Sequence, residues 1–432
     1  MTQSSVDYLV DTATFSTLTI TTGTLTSPTT TADSYLAYKT GVSYTIGFTT
    51  QHRVVLNGIV VVTFPSEITI SDSSTAVAGC QAAYGGASLA ATTCSVVSSS
   101  QIKFTGIYSS SSTTTSAGSV ALKIPGVRNP RSLAPSSSFT ITTTDSSGVS
   151  IDSLALGFTI TMTSVSELQA VSVQNTNTNK INGAYDPYKV IVTVQTPTVS
   201  GDKVVLQFPT SMTFPTLASS LTWAAGTNVG SITWSMTSSS YIITATISTF
   251  SSGSVSAGSQ FDFTINTLGN PISLAPFTMQ SISYVDSASY QVNSYSSATS
   301  IAIQNTQAGT LTSQSLGQSS TVAGSTSTYT FTFTPANAIP QNANIQVVYP
   351  STVTVPNTIT WLGLTGIPAN TVLDWTSNFN SASRTFLVKN GFTSTTSVST
   401  QVSFQVSGIT NPTSISTTSF TLSTMTGTGN YM

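Results

Sequence analysis

One recurring step in residue number most constrains what this chain can fold into. An Asn-Pro step, preceded by alternating apolar residues, occurs at Asn129-Pro130, Asn270-Pro271 and Asn411-Pro412, a constant spacing of 141. An aromatic residue followed by Pro ends a β-branched run at Phe64, Phe208 and Tyr349. Self-similarity at a fixed long period indicates repeated copies of one structural unit. The sequence therefore predicts three tandem domains with one fold.

A third repeated block sets the predicted domain boundaries. Val10, Ile151 and Val292 begin strand-like segments that recur at the same step, and the second and third of these follow an Asn-Pro block. We therefore expect β-sandwich repeats at 22–163, 164–304 and 305–432, the last of them lacking its final strand. Residues 1–21 are expected to hold a terminal strand that belongs to a preceding or neighbouring domain.

Two explanations of this repeat phase remain open. In the first, the chain is an excerpt from a longer array whose adjacent repeats supply the missing pieces. The absence of a recognisable signal peptide in MTQSSVDYLV favours this explanation. In the second, strand 10–20 of one molecule completes the third domain of the next copy. Such a head-to-tail contact does not close, so it generates a filament.

The local pattern within each repeat is that of β-strands. Val120, Leu122 and Ile124 alternate with smaller or polar residues, and the same alternation occurs around Phe331 and Phe333. A period of two with β-branched and aromatic residues indicates strands with one buried face. Strand-like runs recur about every ten residues, which is typical of a sandwich of about seven to ten strands. We predict an all-β chain.

The Asn-Pro steps are predicted to be turns with a common geometry. Asn accepts local backbone hydrogen bonds, and Pro presets the φ angle of its own position. We assign Asn129, Asn270 and Asn411, with the prolines that follow them, a structural role in these turns rather than a chemical one.

The two cysteines, Cys80 and Cys94, lie between the aromatic-Pro and Asn-Pro blocks of the first repeat. The same interval holds the only tryptophans of the chain, Trp223 and Trp234 in the second repeat and Trp361 and Trp375 in the third. We predict one site that a disulfide closes in the first repeat and a Trp pair fills in the others. A disulfide across so short a loop contributes about 3 kcal/mol. Two free, buried thiols are the alternative.

Composition argues against several classes of function. Charged residues make up 6% of the chain, against an average of about 25%, and 155 of the 432 residues are Ser or Thr. The 11 basic residues are scattered, so we expect no electrostatic binding of nucleic acid or of an anionic membrane. No apolar run approaches the roughly 18 residues of a membrane span.

No catalytic or metal-binding pattern is recognisable. The one histidine, His52, is predicted to be a solvated loop residue. Asp11, Asp152 and Asn293 share one repeat position. We interpret this position as a capped turn, with a weak calcium ligand as the alternative. The prediction is a chain that is not an enzyme and needs no metal or cofactor.

The sequence around the asparagines lacks N-glycosylation acceptors. The chain has 21 Asn but no Asn-x-Ser/Thr acceptor with x other than Pro, although about six would arise by chance. Selection against N-linked glycans, which would obstruct close packing of neighbouring chains, is one account. O-linked glycans are expected on Ser/Thr stretches such as 109–116.

The segments GVRNPRSLAPSSSFTITTTDSSG (126–148) and SGITNPTSISTTSFTLSTMTG (407–427) resemble the large Ser/Thr-rich repeat proteins exposed on ciliates and other protists. This resemblance implies extracellular or cell-surface material with three tandem immunoglobulin-like β-sandwich domains, one for each step of the repeat. The expected function is a structural component of an extracellular filament built by head-to-tail linkage of the repeats. The expected partners are further copies of the chain or adjacent repeats of a longer chain. The alternative is the stalk of a surface adhesin with a carbohydrate- or cell-binding role.

Overall fold

The chain is all-β and folds into three tandem immunoglobulin-like β-sandwich domains. A computed structural model describes residues 13, 18–53, 55–107, 117–154, 158–215, 221–356, 359–366, 379–392, 394–415, 418–427, 429 and 432. Two compact units are distinguished, Met1–Val165 and Ser166–Met432. The first holds repeat 1, and the second holds repeats 2 and 3. The exact predicted domain boundaries stay a prediction.

Repeat 1 is built from two sheets. Its strands are β1 (Gly23–Thr24), β2 (Thr26–Ala32), β3 (Val42–Thr49), β4 (Ile59–Thr63), β5 (Thr69–Ile70), β6 (Gln81–Tyr84), β7 (Ala90–Ala91), β8 (Thr93–Ser98), β9 (Gln101–Thr105), β10 (Ser119–Arg128), β11 (Thr140–Thr144) and β12 (Ser150–Leu154). One sheet has the order β1-β12-β11-β4-β9-β8. The other has the order β2-β3-β10-β6-β7, with β5 also pairing with β10.

Repeat 2 follows the same plan. Its strands are β13 (Ser166–Glu167), β14 (Ala170–Asn175), β15 (Tyr185–Thr193), β16 (Lys203–Gln207), β17 (Trp223–Ala225), β18 (Val229–Thr237), β19 (Ile242–Phe250), β20 (Gln260–Gly269), β21 (Phe277–Thr278), β22 (Ser281–Val285), β23 (Gln291–Tyr295) and β24 (Ala302–Ile303). The sheets have the orders β13-β23-β22-β16-β19-β18 and β14-β15-β20-β17, and β21 pairs with β24.

In repeat 3, one of the two sheets is smaller than its counterparts, among the residues that the structure describes. Its strands are β25 (Thr312–Gln318), β26 (Thr326–Thr334), β27 (Asn344–Val348), β28 (Thr360–Thr365), β29 (Phe379–Asn380), β30 (Thr385–Val388), β31 (Val402–Thr410) and β32 (Thr421–Met425). The orders are β25-β26-β31-β28 and β29-β30-β27-β32. The sheet β29-β30-β27-β32 is the counterpart of β1-β12-β11-β4-β9-β8 in repeat 1 and β13-β23-β22-β16-β19-β18 in repeat 2. It therefore contains four strands where those contain six.

Alternating burial explains why these segments form strands. In β3, Tyr44, Ile46 and Phe48 are buried while the residues between them are half-exposed. The same alternation runs through β15 and β26. Each repeat collects its inward side chains into one hydrophobic core. One face of each sheet therefore supplies the burial that stabilises the domain.

Among the described residues, repeats 1 and 2 each contain 12 strands, more than the predicted seven to ten, and several of these strands are only two residues long. The described part of repeat 3 contains 8 strands, which is within the predicted range. Two residues are too few to produce a periodic sequence signal, so the short strands were not predictable.

One α-helix occurs among the described residues, α1 (Ser73–Gly79). Asp72 caps it by accepting a hydrogen bond from the backbone N–H of Thr75 at 3.0 Å. No helix in this part of the chain is long and apolar enough to cross a membrane.

Candidate functional site

The Asn of each Asn-Pro step is the centre of a buried hydrogen-bond cluster. Asn129 is fully buried. Its Oδ1 accepts a hydrogen bond from the Tyr44 hydroxyl at 2.7 Å, and its Nδ2 donates to the carbonyl oxygens of Ser34 and Leu36 at 2.9 and 2.8 Å. The side chain thus joins β3 to the loop that precedes it. We call this cluster the Tyr–Asn lock.

The lock recurs in the other two repeats. Asn270 and Asn411 are also buried and accept hydrogen bonds from the hydroxyls of Tyr188 and Tyr329. Their Nδ2 groups donate to loop carbonyls, that of Ile181 from Asn270 and those of Ser320 and Val322 from Asn411. Asn270 also donates to the buried carboxylate of Asp186 at 2.6 Å.

The prolines hold the same loop through their carbonyl groups. Pro130, Pro271 and Pro412 accept hydrogen bonds from the backbone N–H groups of Tyr38, Gly183 and Gly324 at 2.7, 3.1 and 2.9 Å. The sequence interpretation had the Asn side chain bonding within its own turn. Instead, the Asn side chain forms hydrogen bonds to residues about 80 to 95 positions earlier in the sequence, so the cluster depends on tertiary contacts.

The tyrosine partners were not predicted. Tyr188 and Tyr329 are separated by the repeat step of 141, whereas Tyr44 and Tyr188 are 144 apart, so a search at a strict period omits Tyr44. Burial raises the pKa of all three hydroxyls, since the charged phenolate loses hydration in the core. The hydroxyls therefore remain protonated donors at neutral pH.

The disulfide between Cys80 and Cys94 links the two sheets of repeat 1. Its Cα atoms are 6.6 Å apart. Cys80 directly precedes β6 of one sheet, and Cys94 lies in β8 of the other. The cross-link therefore joins one layer of the sandwich to the other.

A tryptophan occupies the position of Cys94 in repeat 2. Cys94 pairs with Phe104, and Trp234 pairs with Ala245, which follows Phe104 by one full step of the repeat. Both residues thus lie at one register position of equivalent strands.

The other cysteine has similar counterparts. Gln81 pairs with Lys123 of β10 in an antiparallel arrangement. Cys80, one residue before Gln81, is therefore opposite Ile124. Trp223 pairs with Ile265 and Trp361 with Val406. Ile124, Ile265 and Val406 follow one another at the repeat step, so the three sites share one register position.

The indole rings pack on equivalent phenylalanines. Trp234 contacts Phe263 edge-on at a ring-centroid distance of 5.7 Å, and Trp361 contacts Phe404 in the same way at 5.6 Å. Phe263 and Phe404 are separated by one step of the repeat. Trp375 lies outside the described residues, so its pairing with Trp361 stays a prediction.

The strand that closes repeat 1 is fixed at a polar position. Asp152 of β12 is fully buried, and its Oδ2 accepts hydrogen bonds from the backbone N–H groups of Gln51 and His52 at 3.1 and 3.0 Å. Its Oδ1 is 2.7 Å from His52 Nδ1. His52 was predicted to be only solvated. It is half-exposed, yet one ring nitrogen holds this carboxylate.

The equivalent residue of repeat 2 is Asn293 in β23. It is also fully buried, and its Nδ2 donates to the Ser166 carbonyl at 3.1 Å and to Thr196 Oγ1 at 3.3 Å. Asp152 and Asn293 therefore both attach the closing strand to an adjacent segment. In the part of the chain that the structure describes, no three His, Cys, Asp or Glu side chains cluster as metal ligands.

An apolar groove lies at the equivalent place in repeat 3. A cavity of about 590 Å³ separates residues 308–316 from residues 418–424, and its lining includes Leu311, Phe420, Leu422 and Met432. In repeats 1 and 2 this place is occupied by β12 and β23. Residues 10–20, which match those strands in sequence, lie mostly outside the described residues. The groove is the candidate functional site.

Replacing Tyr44 with Phe should destabilise repeat 1 by about 1–3 kcal/mol, because Asn129 Oδ1 loses its buried donor. The loss should appear as faster hydrogen exchange in β3 and β10 of the full chain. Tyr185, which is 57% exposed, provides the control variant Tyr185→Phe. Equal acceleration in that variant would show that the lock contributes nothing.

The lock also has a pH signature. In the unfolded chain the Tyr44 hydroxyl ionises near pH 10, whereas burial raises its pKa in the folded state. The stability it contributes is complete below pH 10 and is lost as the pH rises further. The Tyr44→Phe variant should lose less stability between pH 9 and 11 than the parent chain does, as read from urea midpoints.

Reduction of the disulfide should lower the stability of repeat 1 by about 3 kcal/mol, since the cross-link closes a short loop. Repeats 2 and 3 should be unaffected, because both cysteines of the chain, Cys80 and Cys94, lie in repeat 1. Hydrogen exchange with and without reductant measures this repeat by repeat. The control is Cys80→Ser/Cys94→Ser, which should show the same lowered stability without responding to reductant. A response of repeat 2 or 3 would contradict the assignment.

Comparisons with known proteins add structural similarity alone. No protein-family model matches the sequence, and no curated protein is significantly similar. The C-terminal domain of an antigen I/II-family protein of Streptococcus pyogenes is similar over 61% of this chain and 96% of its own, with 8% identity and a TM-score of 0.21.

Two further structures are similar at the same level. A serine-rich repeat protein of Streptococcus agalactiae is similar over 62% of this chain and 91% of its own, with 9% identity and a TM-score of 0.20. A type II cohesin dyad from the scaffoldin ScaA of Acetivibrio cellulolyticus is similar over 61% and 94%, with 8% identity and a TM-score of 0.18. All three proteins are bacterial, and the resemblance to protist surface proteins stays a prediction.

Proposed function

We propose that this chain is a structural component of an extracellular or cell-surface filament, built by head-to-tail linkage of β-sandwich repeats, and that it is not an enzyme. Sandwich folds host many functions, so the proposal rests on how this chain's own repeats are joined.

The observation that carries the proposal is the junction between repeats 2 and 3, inside the second unit. Ile272, directly after the Asn-Pro step of repeat 2, packs against the hydrophobic core of repeat 3. Asn182 Nδ2 donates to the Ile272 carbonyl at 3.1 Å, and its Oδ1 accepts from Asn337 Nδ2 at 3.1 Å. One segment thus belongs to the lock of repeat 2 and to the surface of repeat 3.

A second asparagine strengthens this junction. Asn305 is buried, and its Nδ2 donates to the carbonyls of Pro271 and Ser273 at 2.8 and 3.1 Å. Buried, hydrogen-bonded linkers resist bending, because opening them would leave amide groups unpaired in the core. Such a junction suits a chain that transmits tension from repeat to repeat.

The distribution of exposed aromatic residues favours a structural role over a ligand-binding one. Among the described residues, the exposed large hydrophobic side chains include two aromatic ones, Tyr185 and Tyr290. They lie in different sheets of repeat 2, at the start of β15 and just before β23. A carbohydrate-binding adhesin would be expected to gather such rings on one surface.

The location is supported by redox chemistry and by the sequence. Disulfides persist in oxidising compartments, such as the extracellular space. The lack of N-glycan acceptors leaves the sides of the domains free for close packing, and O-linked glycans on the Ser/Thr-rich surface remain part of the proposal.

Antibodies against the full chain, applied to intact cells of the source organism and located by immunogold electron microscopy, test this function. We expect label along filaments outside the cell, with permeabilised cells as the control for internal antigen. Label confined to the cell interior would overturn the proposal. Label restricted to single stalks that carry a distinct tip would favour the adhesin alternative.

A further inference from the structure

The first and closing strands of repeat 1 run in the same direction. Gly23 of β1 pairs in parallel with Asp152 of β12, and the backbone N–H of Leu25 donates to the Ser153 carbonyl at 3.2 Å. The chain enters the repeat at the start of β1 and leaves it beyond the end of β12, so tension along the chain pulls the two strands in opposite directions. The contacts between these strands are then loaded together, in shear.

Repeat 2 has the same arrangement. Ser166 of β13 pairs in parallel with Asn293 of β23, and the backbone N–H of Leu168 donates to the Ser294 carbonyl at 2.7 Å. β1 and β13 are each only two residues long, so the backbone supplies few hydrogen bonds to either pairing. Side chains therefore provide much of the attachment between the first and closing strands.

In repeat 1 this attachment passes through the loop that follows β3. The buried carboxylate of Asp152 accepts hydrogen bonds from the backbone N–H groups of Gln51 and His52, and its Oδ1 lies 2.7 Å from His52 Nδ1. Gln51 Oε1 in turn accepts a hydrogen bond from the backbone N–H of Thr24 in β1 at 2.6 Å. Because hydrogen bonds to a charged group are stronger than neutral ones, the carboxylate is the strongest point in this series of contacts.

The pair formed by Asp152 and His52 packs directly on the backbone of Gly23. A Cβ atom at this position of β1 would collide with Asp152 Oδ1 and with His52 Nδ1. Only glycine leaves room for both groups, because it has no side chain. The first strand of repeat 1 is therefore held by close packing under the carboxylate and the imidazole as well as by hydrogen bonds.

Repeat 2 attaches its first strand without a charged group. Asn293 Nδ2 donates to the Ser166 carbonyl of β13 and to Thr196 Oγ1. Thr196 lies 144 residues after His52, the spacing that also relates the lock tyrosines of these two repeats. Asn293 Oδ1 is buried and has no hydrogen-bond partner among the residues that the structure describes. The imidazole contact of repeat 1 thus has no counterpart in repeat 2, which makes repeat 2 an internal reference for it.

We propose that the bridge between Asp152 and His52, packed on Gly23, is a tension-bearing clamp. It is the contact that has to break before repeat 1 unfolds when the chain is pulled along its length. Because β1 is so short, its backbone pairing alone yields readily, and the buried carboxylate with its imidazole partner sets the resistance of the repeat.

The inference rests on the proposed filament function, since a load-bearing contact has a use in a chain under tension. The two can nevertheless fail separately. A chain whose resistance to force does not depend on the bridge leaves the immunogold test of the function unaffected. Label confined to the cell interior would overturn the function and leave the force measurement on the isolated chain unchanged.

Single-molecule force spectroscopy of the full chain, held by handles at its two ends, tests the clamp. The unfolding step of repeat 1 is identified by its disulfide, because reductant opens the loop between Cys80 and Cys94 and lengthens that step by about 40 Å. The variant His52→Ala should unfold repeat 1 at least about tenfold faster at a given force, since the carboxylate loses its imidazole partner. The unfolding step of repeat 2 should stay unchanged.

A second variant reaches the bridge from the first strand. Gly23→Ala should weaken repeat 1 in the same way, because its methyl group collides with the carboxylate and the imidazole. The matched control is Arg53→Ala, which alters the exposed neighbour of His52 in the same loop and should unfold like the parent. Unchanged rates in His52→Ala and Gly23→Ala, or equal acceleration in Arg53→Ala, would overturn the proposal.

A second pulling direction distinguishes a clamp from a contact that stabilises the domain in general. Handles attached through Thr40→Cys/Ser99→Cys pull on two exposed positions of repeat 1 and leave β1 and β12 outside the path of the force. In this geometry, adding His52→Ala should leave the unfolding force unchanged. Equal weakening in both directions would show that the bridge only stabilises the domain, which would contradict the proposal.

Discussion

Antiparallel pairing between the closing strand and the strand before it is the contact that completes each sandwich. In repeats 1 and 2 this pair extends the sheet to six strands, and the closing strand also takes the short parallel strand of the domain's own beginning. The first and last strands of the domain meet there, so the closing strand covers the apolar side chains along that edge. Asp152 and Asn293 fix the strand at its most buried polar position.

A chain with so few charges holds its loops mostly by neutral hydrogen bonds. In repeats 1 and 3 the Tyr–Asn lock uses a phenol, an amide and backbone carbonyls, groups whose burial costs far less desolvation than that of an ion pair, and in repeat 2 the carboxylate of Asp186 joins it. Each lock sits where the loop before β3, β15 or β26 meets the Asn-Pro step, so it fixes that end of its domain. In repeat 2 the same segment extends into the contact with repeat 3 through Ile272. Stability within a domain and linkage between domains are therefore properties of one segment.

Much of the fold was predictable because the repeat shows which residues occupy equivalent positions as well as how long each domain is. The spacing of Asn129, Asn270 and Asn411 identified a shared site, and Trp234, the counterpart of Cys94 in repeat 2, lies 140 residues after it, one short of the same step. The tertiary partners of these residues were not predictable. The hydroxyl of Tyr44 meets Asn129 across 85 residues, and no local pattern records such a contact. The apolar groove of repeat 3 could be anticipated from the repeat phase, but its depth and lining required the packed side chains.

The way each sheet ends explains why the edge of repeat 3 stands out. Proteins protect sheet edges with charged residues, prolines or very short edge strands. With 6% charged residues, this chain has little means of using the first device. At this edge, repeats 1 and 2 use the third, because β1 and β13 are two residues long and leave little backbone to pair with. In repeat 3 the edge strand β32 is five residues long, TLSTM, and contains neither a charge nor a proline. Phe420 and Leu422, beside this edge, are half-exposed and pack against the core of repeat 3.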